Sequence, residues 1–267
     1  MHLKRWITGI VALPLLIFLI GPAPKWLFYA FLCLTSLVGL MEFYRMTAAE
    51  LSRLIRLSGY ILLILLFVAL SLRQVLLVIP IVSLLAFVPL TIALLSRPSP
   101  DKMHTYPIGL ALLGPVYVGF PLGMLILVDL FPRGNVWIFF LLALIFANDT
   151  GAFYFGRTLG RHKLYPAISP GKTWEGAFGG LLTSMAVAIL FLSLIPLKRI
   201  DVGVLILTVV LSISAQVGDL VESMLKRSHG MKDSGRILPG HGGLLDRIDG
   251  LIFAIPVLFV YISLFVV

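Results

Sequence analysis

Nine long apolar runs, each bounded by charge, proline or glycine, constrain this chain more than any other feature: about 6–22, 26–45, 57–72, 74–96, 107–130, 135–156, 174–196, 202–225 and 248–267. Roughly 20 apolar residues are what an α-helix needs to cross the hydrocarbon core of a bilayer. The expected fold is therefore all-α, a polytopic transmembrane helical bundle of about nine spans. Composition agrees, since only 12% of the residues are charged against about 25% in a soluble domain. Nine spans in 267 residues leave no room for a separate soluble domain, so any site must lie in helices and short loops. The first run follows Lys4 and Arg5 like a secretory signal, but Gly21-Pro22-Ala23-Pro24 is a poor cleavage site, and a retained helix is expected. Pro107, Pro115 and Pro121 break up the fifth run, which neighbouring helices can tolerate by satisfying the freed carbonyls. The single cysteine, Cys33, excludes an intrachain disulfide.

A net charge of +9 would point to nucleic acid in a soluble protein, but here its distribution between loops matters more. With nine spans, 16 of the 21 Lys and Arg residues fall on the side of the N-terminus, and only Lys25, Arg73, Arg133, Lys198 and Arg199 fall on the other. The positive-inside rule then places the N-terminus in the cytoplasm and the C-terminus outside. The basic residues are spread over membrane connections without an aromatic platform for a single strand, so nucleic acid is not expected as a partner. The organisation expected along the chain is residues 1–105 as scaffold helices, 106–172 as middle helices that are candidates for subunit contacts, and 173–267 as the helices carrying the reactive loop. No repeat of fixed period is visible, which disfavours an inverted-repeat transporter.

Ten of the chain's charges crowd into the 31 residues from Asp219 to Asp249. Asp219, Glu222, Ser223 and Lys226 are spaced i, i+3, i+4, i+7 and form one polar stripe at the end of the eighth run. A carboxylate there needs a partner, a metal or a watery cavity; a structural pair of Asp219 or Glu222 with Lys226 is the plain alternative. Asp246 and Asp249 are i, i+3 and face one way if helical. Together with Asp219 they would offer carboxylate oxygens to a hard cation such as Mg2+, although capping of a helix N-terminus would by itself account for one of them. Gly240, Gly242 and Gly243 allow backbone amides to approach phosphate. His241 between glycines is more often a phosphate hydrogen-bond donor than a metal ligand in oxygen-rich surroundings. Carboxylates for a metal beside cations for anionic oxygens are what phosphoryl or nucleotidyl transfer requires.

Two further stretches stand out. Ser169-Pro170-Gly171-Lys172-Thr173-Trp174-Glu175-Gly176 imitates the end of a P-loop, but position 166 is Pro and the flanks are membrane helices, so the Walker reading fails. What survives is Lys172 as a cation beside a helix N-terminus that attracts anions, or a plain juxtamembrane helix with Trp174 as an interfacial anchor. Asn148-Asp149 is a polar insertion into the sixth run, placed to pair with a lysine or to line a cavity. Glu42, Asp129 and Asp201 read as span-end residues.

Residues 223–249, with Ser223-x-Leu225-Lys226-Arg227, Lys232-Asp233-x-Gly235, Leu238-Pro239-x-His241-Gly242-Gly243-Leu244 and Asp246-Arg247-Ile248-Asp249, closely resemble the signature of the CDP-diacylglycerol synthases, or phosphatidate cytidylyltransferases. The stretch from Ser169 to Gly176 resembles the same family's second segment, which often has Lys where this chain has Gly171; Lys172 keeps the charge. The resemblance covers the chain in outline and roughly its last 120 residues in detail. It implies the reaction of CTP with phosphatidate to give CDP-diacylglycerol and pyrophosphate in phospholipid biosynthesis, a requirement for Mg2+ with room for a second cation, a multi-pass location in the cell membrane with the site on its cytoplasmic side, and a homodimer. As roles, it implies that Asp219, Asp246 and Asp249 hold metal, that Lys226, Arg227, Lys232 and Arg247 neutralise the triphosphate, that Lys172 contacts nucleotide or lipid phosphate, and that Ser223, His241 and the amides around Gly242 and Gly243 donate hydrogen bonds. Asp219, Asp246, Lys226 and Arg247 would form the catalytic group.

Two other classes compete. A CTP-dependent polyprenol or phytol kinase shares nucleotide, metal and a membrane-embedded acceptor, but releases CDP rather than pyrophosphate. An ion-coupled transporter would use Asp149, Asp219 and Glu222 as a relay and consume no nucleotide.

Overall fold

The computed structural model describes residues 13–96, 105–235, 237 and 242–266. Helix α1 covers 13–20; α2 is Lys25–Thr47, α3 Arg53–Ser71, α4 Val78–Leu95, α5 Thr105–Gly114, α6 Phe120–Leu130, α7 Gly134–Thr158, α8 Trp174–Leu194, α9 Val202–Ser228 and α10 Leu245–Phe265. Between α7 and α8 stands a small antiparallel hairpin, β1 (Lys163–Tyr165) with β2 (Ser169–Thr173), in which Lys163 pairs with Thr173 and Tyr165 with Ser169. Eight helical stretches among the described residues are long and apolar enough to cross a membrane. They coincide with the second to ninth runs; the ninth expected span falls on the first run, of which residues 6–12 lie outside the described residues. The architecture is thus the expected polytopic helical bundle.

Two compact units divide the chain: Met1–Ile126 with Asp233–Leu245, and Leu127–Lys232 with Asp246–Val267. In the first, α3 shows why both faces of a helix are apolar. Leu62, Leu63, Leu66 and Phe67 are buried, while Leu57, Ile61, Leu65 and Val68 on the opposite face are exposed. In a bilayer the exposed stripe meets lipid tails, so interior and exterior faces are separated by packing rather than by polarity. The fifth run is continuous from α5 to α6, joined by a single π-helical turn, Pro115–Gly119. Pro115 cannot donate to the carbonyl four residues back, Ala111. That carbonyl accepts the Tyr44 hydroxyl of α2 at 2.9 Å instead. Gly114 lets α2 come this close, because a Cβ there would stand 2.7 Å from Leu40 and 2.9 Å from Tyr44.

In the second unit α7 and α8 meet along small residues. A Cβ on Gly176 would lie 2.8 Å from the Ala152 carbonyl, and one on Gly180 equally close to the Asn148 carbonyl. Small side chains of this kind let membrane helices pack backbone to backbone. Ser184 of α8 adds a 3.1 Å bond to the Leu144 carbonyl of α7. Asp201 caps α9, accepting the Val204 N–H at 2.8 Å, which bears out its reading as a span-end residue.

Candidate active site

Asp219, Glu222, Ser223 and Lys226 do lie along one face of α9, as their spacing requires. Gly218 brings the backbone of α10 against that face: a Cβ there would be 2.5 Å from the Asp249 carbonyl and 3.0 Å from the Phe253 ring. Gly250 answers from α10, where a Cβ would meet the Ala215 carbonyl at 3.2 Å. This close approach gathers one carboxylate oxygen each from Asp219, Glu222 and Asp249 within 4.8 Å of one another.

The cations around this cluster are placed with equal economy. Lys226 Nζ donates to Glu222 Oε2 and to Asp246 Oδ1, each at 2.6 Å. Lys172, on β2, reaches Asp219 Oδ2 at 2.6 Å. The hairpin is fixed at its open end, where Lys163 pairs with Thr173. Thr173 caps α8 by accepting the Gly176 N–H at 3.1 Å, and Glu175 accepts the His162 backbone N–H at 3.2 Å while its Oε1 stands 2.6 Å from His162 Nδ1. Asp149 on α7 lies near enough to Asp219, Lys172 and Arg247 to interact with them electrostatically. Of the four carboxylates of α9 and α10, Asp219, Glu222 and Asp246 are in direct contact with the two lysines, while Asp249 Oδ1 accepts the Gly250 N–H at 2.9 Å. Glu222 is the most enclosed of them: its side chain is 1% exposed, and its Oε1 has no hydrogen-bond partner among the described residues. Like charges this close, in a segment that crosses the membrane, call for a further cation. The donor set is oxygen only, which fits a hard metal ion rather than a thiophilic one.

The structure thus brings Asp219, Lys226, Asp246, Asp249 and Lys172 into one neighbourhood. Asp246 faces Lys226, and the third corner of the cluster is Glu222, which the sequence reading had placed in the stripe without assigning it metal. Ser223 Oγ stands 3.5 Å from Asp219 Oδ1, at the limit of a hydrogen bond. Arg227 and Lys232 are exposed, and Arg227 turns its guanidinium toward the carbonyls of Ile168 and Met231, 3.4 Å from each. Arg247, in the first turn of α10, is exposed as well. His241 lies outside the described residues. Gly242 has a φ of 83°, a left-handed backbone that glycine adopts at least cost, and Gly243 is buried.

Sequence reasoning missed two sets of residues. Asn148 was noted as a polar insertion, yet its partners were not: its Oδ1 accepts Ser212 Oγ at 2.7 Å and Gln216 Nε2 at 2.9 Å, and Gln216 also donates to the Ala177 carbonyl at 3.0 Å. This buried network ties α7, α8 and α9 together one to two turns from Asp219. Ser212, Gln216, Asp219 and Ser223 continue one polar face of α9, a signal that the last four turns of the helix already carried. The other missed residue is Glu42, in the first unit. It reads as a span-end residue, but is 1% exposed and accepts the N–H groups of Leu244 and Leu245 at 3.0 and 2.8 Å and the Ser234 hydroxyl at 3.1 Å.

A sequence profile of the cytidylyltransferase family matches residues 3–265, nearly the whole chain. The chain belongs to the cytidylyltransferase family. Among curated relatives, the phosphatidate cytidylyltransferase of Staphylococcus epidermidis (strain RP62A) is 41% identical over 174 residues, 65% of each chain. That of Bacillus subtilis (strain 168) is 41% identical over 159 residues, 59% of each. The Staphylococcus aureus (strain COL) protein of the same name is 39% identical over 175 residues, again 65% of each. The matched stretch thus spans just under two thirds of the length of these relatives.

Proposed function

We propose that this chain is a phosphatidate cytidylyltransferase, an integral membrane nucleotidyltransferase that makes CDP-diacylglycerol and pyrophosphate from CTP and phosphatidate. The observation that carries the reading is the joint placement of Asp219, Glu222, Lys226 and Asp249 on the membrane-spanning helices α9 and α10 and of Lys172 on the hairpin between α7 and α8, in a family of cytidylyltransferases. A phosphate oxygen of phosphatidate forms a bond to the α-phosphorus of CTP, the bond from that phosphorus to the bridging oxygen breaks, and pyrophosphate leaves with the electron pair. The attacking oxygen is already an anion, so alignment and charge screening matter more than a general base.

Asp219, Glu222 and Asp249 are the residues that would hold Mg2+, which when bound neutralises phosphate oxygens and orients them. Lys226, tied to Glu222 and Asp246, is held still rather than swinging freely, so its positive charge stays at the edge of the cluster. Lys172 approaches from the hairpin and is suited to a nucleotide or lipid phosphate; Arg227, Lys232 and Arg247 supply further positive charge, and Ser223, His241 and the amides around Gly242 and Gly243 hydrogen bonds. Asp219, Asp246, Lys226 and Arg247 act as the catalytic group. The excess of basic residues in the connections on the side of the N-terminus supports a site on the cytoplasmic face of the cell membrane. Residues 1–105 serve as scaffold, 106–172 as the subunit contact of a homodimer, and 173–267 as the reactive part.

Label tracing separates this reaction from a kinase. With CTP labelled at the α-phosphorus, label enters the lipid fraction; with CTP labelled at the γ-phosphorus, it leaves as pyrophosphate. A lipid labelled from the γ-position, with free CDP, would overturn the cytidylyltransferase reading in favour of a lipid kinase.

A further inference from the structure

The first unit contains a carboxylate that no step of the reaction uses. Glu42 stands near the end of α2, almost fully buried, and three donors from one distant stretch of chain converge on it. Oε1 accepts the Leu244 N–H at 3.0 Å; Oε2 accepts the Leu245 N–H at 2.8 Å and the Ser234 hydroxyl at 3.1 Å. Leu245 is the first residue of α10, so two of the amides that a helix N-terminus leaves without partners are taken by a side chain from another helix. Asp246 would be the local candidate for capping, but its carboxylate is engaged by Lys226. The stretch wraps Glu42 so tightly that a Cβ on Gly243 would lie 2.6 and 2.7 Å from its two oxygens, and one on Gly235 would lie 2.8 Å from its carboxyl carbon. Gly242, with its φ of 83°, makes the turn immediately before.

We propose that Glu42 is a positioning residue: it fixes the glycine turn at Gly242-Gly243 and the first turn of α10 in the shape that nucleotide binding needs. This rests on the cytidylyltransferase reading, in which that turn faces phosphate and Asp246 and Arg247, the next two residues of α10, belong to the catalytic group. Both carboxylate oxygens are required. A glutamine retains one acceptor and sets its amide N–H groups against a backbone N–H, so Glu42→Gln is a sharper probe than its size implies. An aspartate keeps both oxygens on a side chain one methylene shorter.

The test uses the full chain in lipid nanodiscs, with hydrogen–deuterium exchange of peptides covering 242–249 and steady-state turnover of CTP and phosphatidate measured on the same samples. In Glu42→Gln, exchange at the Leu244 and Leu245 amides should rise by about tenfold or more, the expected size for loss of a charge-assisted bond. Peptides from α7 and α8 should be unchanged. The value of kcat/KM for CTP should fall by a similar factor, Glu42→Asp should recover part of it, and Ser234→Ala, which removes one of the three bonds, should give a smaller loss in the same direction. Should Glu42→Gln not fold, Ser234→Ala and Glu42→Asp still have to show paired changes in exchange and kcat/KM. Faster exchange with kcat/KM within twofold of wild type would overturn the positioning role, as would unchanged exchange. A wild-type protein that exchanges as expected but turns over no CTP would instead remove the reading on which the role rests.

Discussion

Glu42 and Glu222 are both glutamates near the end of a membrane helix, and both are buried, but they are satisfied in opposite ways. Glu42, in the first unit, has its oxygens occupied by two backbone amides and a hydroxyl. Glu222, in the second, has one oxygen on Lys226 and the other without a partner, beside Asp219 and Asp249. The difference shows what a buried acid is for. A carboxylate whose two oxygens are taken by backbone amides and a hydroxyl holds backbone in place. One placed beside like charges stores repulsion that a bound cation relieves. Burial alone would have ranked the two residues together; the partners separate them.

The largest effect expected on this contrast comes from the acids of the second unit. Asp249→Asn and Asp246→Asn should each cut turnover by about 100-fold or more while the protein still purifies as a folded, lipid-soluble species. Near-normal activity of Asp246→Asn in detergent would remove that residue from the site. Glu222→Gln should act next most strongly, lowering activity by about 10- to 100-fold and raising the Mg2+ concentration that gives half-maximal turnover. Its thermal stability should stay level or rise, because a buried charge beside two others is neutralised. A Mg2+ dependence identical to wild type would exclude Glu222 from the cation seat. The smallest effect belongs to the first unit away from Glu42. Tyr44→Phe leaves the Ala111 carbonyl opposite Pro115 without its donor, and should cost about 1–3 kcal/mol of stability with kcat unchanged. A fall in kcat at unchanged stability would mean that the π-helical turn takes part in turnover.

Most of the bundle was legible because membrane helices are written in long apolar runs, and the polar stripe of α9 because helical periodicity fixes which residues share a face. The same rule placed Asp246 and Asp249 together on α10. It could not say which of them would turn toward Asp219 and which toward Lys226, since that depends on the close approach at Gly218 and Gly250. Nor could it find the partners of Glu42 or of Asn148, which lie 192–203 and 64–68 positions away along the chain. The hairpin of β1 and β2 was hidden for a different reason. Three and five residues are too short for an alternating pattern to register, and its Pro170 and Gly171 read as a loop.

Pyrophosphate release by the purified full chain in mixed micelles, with CTP, phosphatidate and Mg2+ and with each omitted in turn, tests the central claim most directly. The account predicts release only when all three are present, with CDP-diacylglycerol appearing in equal amount. Release that persists without phosphatidate, or a folded and lipid-supplemented sample that yields none, would contradict it.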